Sequence, residues 1–296
     1  MGALRGYSAI LTASAAFGAS ATLGTLLLAK SGVVDPLAAL IVAHGLAALV
    51  FLPFAPKARL RREDARFLLL WGVNGAAIAP ALWFFGLAQS TAINAALLAN
   101  MEALWTVAFA YVFLKERVPR RGFLGIAVLL VGALAVTTNF DFASVEFRQY
   151  LFGNLLLILS SLCFGIDNNM SRVLVMKYDR RAIPFYKIVI GLAVLAPLTL
   201  ILGTSFALDL NQLTLAALLG LVGVVVVIWF FYIAFQEIGA MRTGAIISTS
   251  ALFGVAIAFA VFGTPPTAVQ FGGGLLMVAG TFLTTEWTPN LRRNRV

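Results

Sequence analysis

The sequence predicts an all-α polytopic membrane protein. Ten transmembrane helices are expected, as two inverted five-helix repeats around a central cavity, with N- and C-termini cytoplasmic. Three observations carry this expectation. The first is composition: of 296 residues, 61% are hydrophobic and 11% charged, whereas a soluble globular domain holds about a quarter charged residues. Mean hydropathy is +0.97. The second is where lysine and arginine fall along the chain. The third is the recurrence of short segments across the two halves.

A bilayer-spanning helix needs about 20 mostly apolar residues. The runs that meet this are 8–29, 36–54, 67–88, 93–114, 121–138, 152–174, 183–203, 212–235, 242–262 and 268–285. They are too long and too uniformly apolar for barrel strands, which alternate over about ten residues. Helix is therefore the form that satisfies the backbone in lipid. Breakers separate the runs: Asp35-Pro36, Pro53 to Pro56, Pro119, Ile183-Pro184 and Pro265-Pro266. The first run exceeds the apolar length of a secretory signal and completes the repeat, so it is read as a span. It is rich in small residues, "SAILTASAAFGASATLGT" over 8–25, which suits close helix packing in a membrane.

Charge sets the orientation. With the N-terminus inside, the inner segments hold Arg5; Lys57, Arg59, Arg61, Arg62 and Arg66; Lys115, Arg117, Arg120 and Arg121; Arg172, Lys177, Arg180, Arg181 and Lys187; Arg242; and Arg292, Arg293 and Arg295. Only Lys30 and Arg148 fall outside, leaving 19 of the 21 basic residues inside. This is the positive-inside pattern, expected of a multi-pass membrane chain with its N-terminus inside. It also explains the net charge of +9 without a nucleic-acid partner.

The repeat is visible in short matches. "LWFFGLAQ" at 82–89 resembles "IWFFYIAFQ" at 228–236, and Phe17-Gly18 recurs as Phe164-Gly165. Pro36 recurs as Pro184, and Gly125 and Gly132 recur as Gly273 and Gly280, at offsets of 146–148 residues. The halves are read as 1–147 and 148–296. Five spans per half is odd, so the two halves enter the membrane in opposite directions. Such repeats place a site near the midplane between them.

Much chemistry is excluded by what is missing. One cysteine, Cys163, and one histidine, His44, cannot build a disulfide framework or a Cys/His metal site. No P-loop and no H-E-x-x-H occurs, and no nucleophile–base pair supports an intramembrane enzyme. No cofactor or metal is expected. A carrier for small molecules is the principal expectation, with a passive channel as the alternative of another class. Membrane lipid is the expected surrounding partner, and no oligomeric state is readable.

At this point the chain resembles the EamA type of the drug/metabolite transporter superfamily. Glu102 in the fourth run, "LKERVP" at 114–119 and the spaced Gly125 and Gly132 carry the resemblance. Ala103 stands where that family usually has Pro after the Glu; Ser250 stands where Glu102 would repeat; Thr264 stands where the acidic turn residue often sits. The resemblance extends to bacterial amino-acid and metabolite exporters of the aromatic amino-acid branch. It implies export by alternating access, with amino acids as substrate and drugs or nucleotide-sugar-like metabolites as the alternative.

The site is expected around the fourth helix. Asn94, Leu98, Met101, Glu102 and Trp105 fall within a sector of roughly 80–100° on a continuous α-helix. Ionisable groups at membrane depth face the bundle interior or a water-filled cavity. Glu102 therefore either lines the pathway, holding a substrate ammonium or a proton, or bonds neighbouring helices. In the sixth run, "CFGIDNNMSR" at 163–172 offers Asp167, Asn168 and Asn169, with an Asp167–Lys187 pair expected to neutralise both charges. His44 is either a packing group or a proton carrier, and Asn74 is assigned to packing. Trp83 and Trp229 correspond under the repeat and are candidates for paired aromatic layers. Trp71 and Trp287 are assigned to the aromatic belts at the interfaces.

Overall fold

A computed structural model describes residues 2–30, 34–57, 59–113, 120–140 and 145–284. The described residues contain no strand. In chain order the helices are α1 (Ala3–Leu28), α2 (Pro36–Lys57), α3 (Arg62–Ala88), α4 (Ala92–Leu98), α5 (Met101–Phe113), α6 (Arg120–Thr138), α7 (Arg148–Lys177), α8 (Ile183–Leu202), α9 (Leu210–Ile238), α10 (Ala240–Ile247), α11 (Ser250–Phe262) and α12 (Ala268–Thr284). Six of these, α1, α2, α3, α7, α8 and α9, are long and apolar enough to cross a membrane. Segments α6, α11 and α12 are shorter apolar helices. The "LKERVP" segment with Lys115 and Arg117, Trp287 and the arginines at 292, 293 and 295 lie outside the described residues.

The helix ends follow from local sequence. Asp35 accepts the Leu37 N–H at 2.8 Å, with Pro36 at the first helical position of α2, satisfying a donor that the helix leaves open. Asp209 and Gln212 form a reciprocal capping box at the start of α9. Gly203, at φ 64°, closes α8 in a left-handed conformation that costs glycine little.

Long apolar side chains stand exposed around the outside: Leu124 on α6, Leu200 and Ile201 on α8, Phe259 on α11 and Phe271 on α12. In water this surface would be a liability; against lipid it is the expected outer face.

Glycine lets several helices cross at backbone distance. A Cβ on Gly132 of α6 would lie 2.5 Å from the Gly273 carbonyl of α12, and one on Gly280 of α12 would lie 2.6 Å from the Gly125 carbonyl of α6. Gly18 of α1 faces Phe253 of α11, as Gly165 of α7 faces Trp105 of α5. Gly72 of α3 meets Ile190 of α8, while Gly220 of α9 meets Ala43 of α2. Close backbone approach replaces the hydrophobic drive that lipid does not supply.

One end of the bundle is tied by ions. Lys177 at the end of α7 reaches Asp64 near the start of α3 at 2.6 Å, and Asp64 also accepts from the Tyr178 hydroxyl. Arg5 of α1 lies 3.9 Å from Glu237 of α9, and Arg180 donates to Gln236.

Two features depart from uninterrupted spans. The run 93–114 is divided between α4 and α5. Around Asn100 the backbone tightens to i→i+3 bonds: Asn100 N–H to Leu97 O at 3.1 Å, Glu102 N–H to Ala99 O at 3.0 Å and Ala103 N–H to Asn100 O at 3.1 Å. The run 242–262 is divided similarly at Ser248 and Thr249, where Thr249 N–H bonds Ile246 O at 3.0 Å and Leu252 N–H bonds Thr249 O at 3.0 Å. In α3 and α9 the backbone instead loosens into π-helix, over Asn74–Ile78 and Leu219–Val226. Such segments occur frequently at functional sites. The first of them precedes Pro80, whose ring removes a helix donor.

Trp71 does not face outward as a belt residue would. It is fully buried, and its indole N–H donates to Ser171 Oγ at 2.9 Å. The tryptophan signal for an aromatic belt depends on depth, and α3 begins several residues earlier than the apolar run suggests.

Candidate functional site

The helices enclose a central cavity. Its walls come from α1 (Phe17, Ser20), α2 (His44), α3 (Gly75, Pro80, Trp83, Phe84), α5 (Glu102), α7 (Phe164, Asp167, Asn168, Ser171), α8 (Lys187), α9 (Gly223, Phe231, Tyr232) and α10 (Ile247). About 130 Å³ is open to the centres of water-sized molecules. One water needs roughly 10–15 Å³ by that measure, so the space holds on the order of ten waters, or one small metabolite.

Its polar floor is an ion pair. Lys187 Nζ lies 2.5 Å from Asp167 Oδ2, with both side chains more than nine-tenths buried. The expected pairing therefore forms. Lys187 also sits 5.3 Å above the Trp71 ring, a favourable place for an ammonium. Trp71 bonds Ser171, and Ser171 Oγ lies 3.3 Å from the Tyr232 hydroxyl. Gly75 makes room for the pair, because a side chain there would overlap the Asp167 carboxylate and Lys187 Cε. Asp167 Oδ1 is buried and has no hydrogen-bond partner.

Glu102 enters the same cavity from the first turn of α5. Its Oε1 accepts from Asn168 Nδ2 at 2.6 Å. Asn168 Nδ2 also lies 3.2 Å from Thr106 Oγ1, which donates to the Glu102 carbonyl at 2.8 Å. Asn169 turns away from the cavity and bonds the Thr106 and Gly165 carbonyls at 3.1 and 2.9 Å, tying α7 to α5. Asn74 is likewise a packing group, donating to the Cys163 carbonyl at 2.8 Å.

Five of the nine sequence-derived candidates line the cavity: Glu102, Asp167, Asn168, His44 and Trp83. Asn94, Met101, Trp105 and Trp229 stand elsewhere. The expected single face of 94–105 assumed one continuous helix, and the tight turn at Asn100 rotates α5 relative to α4. Met101 is buried in the apolar core. The Trp105 ring lies 6.4 Å from Phe109. Asn94 belongs to an amide network, with Nδ2 3.4 Å from Asn154 Oδ1 and its own Oδ1 accepting from Gln270 at 2.9 Å. Ser90 completes that network by donating to Asn154 Oδ1 at 2.6 Å. Replacing Asn154 by Leu leaves Ser90 and Asn94 with buried unpaired donors. A loss of about 1–3 kcal/mol is expected, read as a lower unfolding midpoint of the purified protein in detergent. An unchanged midpoint would show the network to be dispensable.

Trp229 stacks on Phe51 at 6.3 Å and tilts against Phe54 at 5.4 Å, outside the cavity. Gly72 packs as Gly220 does, but nine residues separate Gly220 from Trp229 where eleven separate Gly72 from Trp83. Two fewer residues turn a helix face by about 200°. Phe231 and Tyr232 consequently take the cavity positions, while Trp83 lies against Phe17 at 5.8 Å. Sequence reasoning did not single out Ser171. Its signal was the four-residue spacing from Asp167, which puts both on one helix face.

Apolar helices around a cavity lined by aromatic rings and a few charged side chains suit a membrane transporter, and the class is shown by the chain's relatives. The sequence profile of the EamA-like transporter family matches twice, over residues 4–138 and 151–286, and the chain belongs to that family. An "uncharacterized transporter" of Methanothermobacter thermautotrophicus is 32% identical, covering 95% of this chain and 86% of that one. The transporter YyaM of Bacillus subtilis is 26% identical over 78% of this chain and 76% of its own. An 85-residue stretch, 29% of this chain and 30% of the relative, is 32% identical to the pseudopaline exporter CntI of Pseudomonas aeruginosa. Among solved structures, a crystal structure at 17% identity superimposes with a TM-score of 0.67, covering 96% of this chain and 97% of that one. That last likeness concerns the fold alone.

Proposed function

We propose that this protein is a secondary carrier that moves small metabolites, foremost amino acids including aromatic ones, across the bacterial inner membrane by alternating access. The observation that carries this reading is the cavity itself. It places a carboxylate, Glu102, and an ion pair, Asp167–Lys187, among the aromatic rings of Phe17, Trp83, Phe84, Phe164 and Phe231. An ammonium has Glu102 to bind, and an apolar side chain has rings to pack on. The 85-residue likeness to the pseudopaline exporter supports outward movement.

The moving parts are two halves, 1–147 and 148–296, each crossing the membrane five times in opposite directions, with both termini cytoplasmic. The α4–α5 and α10–α11 pairs count as one broken span each. Reciprocal packing supports this division. Gly125 faces Gly280 as Gly132 faces Gly273, and each pair exchanges under an offset of 148. Cavity residues pair the same way: Phe17 with Phe164, Gly75 with Gly223, Trp83 with Phe231. Two related halves with one site between them can exchange conformations without rebuilding the site. The ion-paired end with Asp64, Lys177 and Arg5 is the cytoplasmic one under the positive-inside rule.

Purified protein in proteoliposomes tests the reading. Saturable uptake of amino acids is expected, with Glu102→Gln reducing it at least about tenfold, the worth of one hydrogen bond to a charged group. Loss of pH-gradient dependence alone would assign Glu102 to the proton. Undiminished transport by the variant would make Glu102 structural, and non-saturating flux would replace the carrier with a channel.

A further inference from the structure

Most donors in the cavity wall already have acceptors. Asn168 Nδ2 serves Glu102 at 2.6 Å and lies 3.2 Å from Thr106 Oγ1. Lys187 Nζ is drawn to Asp167 at 2.5 Å, and Ser20 Oγ donates to the Phe17 carbonyl at 2.6 Å. Ser171 and Tyr232 differ. The Trp71 indole N–H donates to Ser171 Oγ at 2.9 Å, and Ser171 Oγ shares one contact with the Tyr232 hydroxyl at 3.3 Å. Two hydroxyls bring two protons to that single contact. One O–H is therefore left without an acceptor among the described residues, on a side chain of the cavity wall. With the chain of bonds running from Trp71 to Ser171 to Tyr232, the free proton is on Tyr232. A buried donor without an acceptor is costly, and a ligand oxygen supplies the acceptor.

Two further observations concern what that oxygen belongs to. Asn168, which holds Glu102, and Ser171, which meets Tyr232, are three residues apart on α7, so their Cβ atoms stand about 5–6 Å apart on one face. Glu102 and Tyr232 thus approach the cavity from neighbouring points, a separation that suits an ammonium and a carboxylate borne on one carbon. Polarity is also confined to one pole. At offsets of 147–148, Ser20, Gly24, Ala39 and Phe84 stand where Asp167, Ser171, Lys187 and Tyr232 repeat. Related residues of inverted repeats lie at opposite depths, so a polar head group has one end of the cavity to enter. The apolar remainder has the rings of Phe17, Trp83 and Phe84.

We propose that Tyr232, backed by Ser171, recognises the carboxylate of an α-amino-acid substrate by donating its O–H to a carboxylate oxygen. This rests on the reading of the cavity as an amino-acid site. Ammonium at Glu102 and carboxylate at Tyr232 select both ends of the zwitterion, and amines without the carboxylate bind more weakly.

Calorimetric titration of the full-length protein in nanodiscs tests this with two ligands that differ only in the carboxylate, phenylalanine and phenylethylamine. Wild-type protein should bind phenylalanine at least about tenfold tighter, the worth of one hydrogen bond to a charged group. Tyr232→Phe should lose that preference, weakening phenylalanine and leaving phenylethylamine unchanged. The ring is kept, and folding is judged by elution and thermal midpoint. Ser171→Ala should weaken phenylalanine selectively as well, and it carries the comparison if Tyr232→Phe does not fold. An unchanged preference in these variants, or equal weakening of both ligands, would overturn the proposal and leave the amino-acid carrier intact. So would a preference that is lost in His44→Leu and kept in Tyr232→Phe, because the carboxylate would then belong to the histidine. Binding of neither ligand by folded wild-type protein would overturn both.

Discussion

Replacing Lys187 by Met is expected to cost about 3–5 kcal/mol of stability, the usual penalty for leaving one member of a buried ion pair alone. The environment explains the size. Asp167 is more than nine-tenths buried, its Oδ1 already lacks a partner, and Oδ2 has Lys187 at 2.5 Å. Removing the ammonium leaves a carboxylate against Gly75, where nothing charged replaces it. Two buried charges repay their desolvation only together. The double variant Asp167→Leu/Lys187→Met should therefore recover most of the loss. The measurement is the thermal midpoint of detergent-purified protein, followed by tryptophan fluorescence. A single variant no worse than the double would mean that the pair does not hold α7 to α8.

The second large effect concerns the α6–α12 crossing. Gly132→Leu is expected to destabilise by about 1–3 kcal/mol or more, the cost of overpacking a filled contact. Two of the three nearest atoms in the way are backbone, Gly273 O at 2.5 Å and Met277 N at 2.9 Å from a Cβ built on Gly132, with the Met277 Cγ at 2.7 Å between them. Backbone cannot rotate aside as a side chain does, so the two helices must separate. Gly272 supplies the control. It neighbours Gly273 on the same helix, yet a Cβ there meets nothing within 4 Å. Gly272→Leu should be neutral or slightly stabilising, since glycine inside a helix costs about 0.5–1 kcal/mol relative to alanine. Equal effects at 132 and 272 would show that the crossing is loose.

These contacts mark how far the sequence was legible. Membrane class and helical content followed from composition and run length, because the bilayer dictates both. The Asp167–Lys187 pair was legible from two charged residues near the same depth, since an unpaired charge there is too costly. The face of the fourth run was not legible. Asn94 and Glu102 share a sector only if the helix is uninterrupted, and the turn at Asn100 interrupts it. Trp229 was misplaced for a related reason. Its "WFF" motif matches that of Trp83, but the glycine contacts count two residues fewer before it. Motif similarity aligned the letters, and packing aligned the helices. Trp71 reads as an interface residue by position, whereas its partners Ser171 and Lys187 come from helices a hundred residues away.

The sequence by itself determined that this is an all-helical, membrane-embedded chain of the EamA-like transporter type, because hydropathy, breakers and family motifs are summed over many residues and survive local error. Only the tertiary structure decided which polar groups meet. A helix turns by about 100° per residue, so a single tight turn at Asn100 or a π segment at Asn74–Ile78 or Leu219–Val226 redirects every side chain beyond it. Those irregularities are set by contacts between helices, and they place Glu102, Asp167 and Lys187 around one cavity while turning Asn94 and Trp229 away from it.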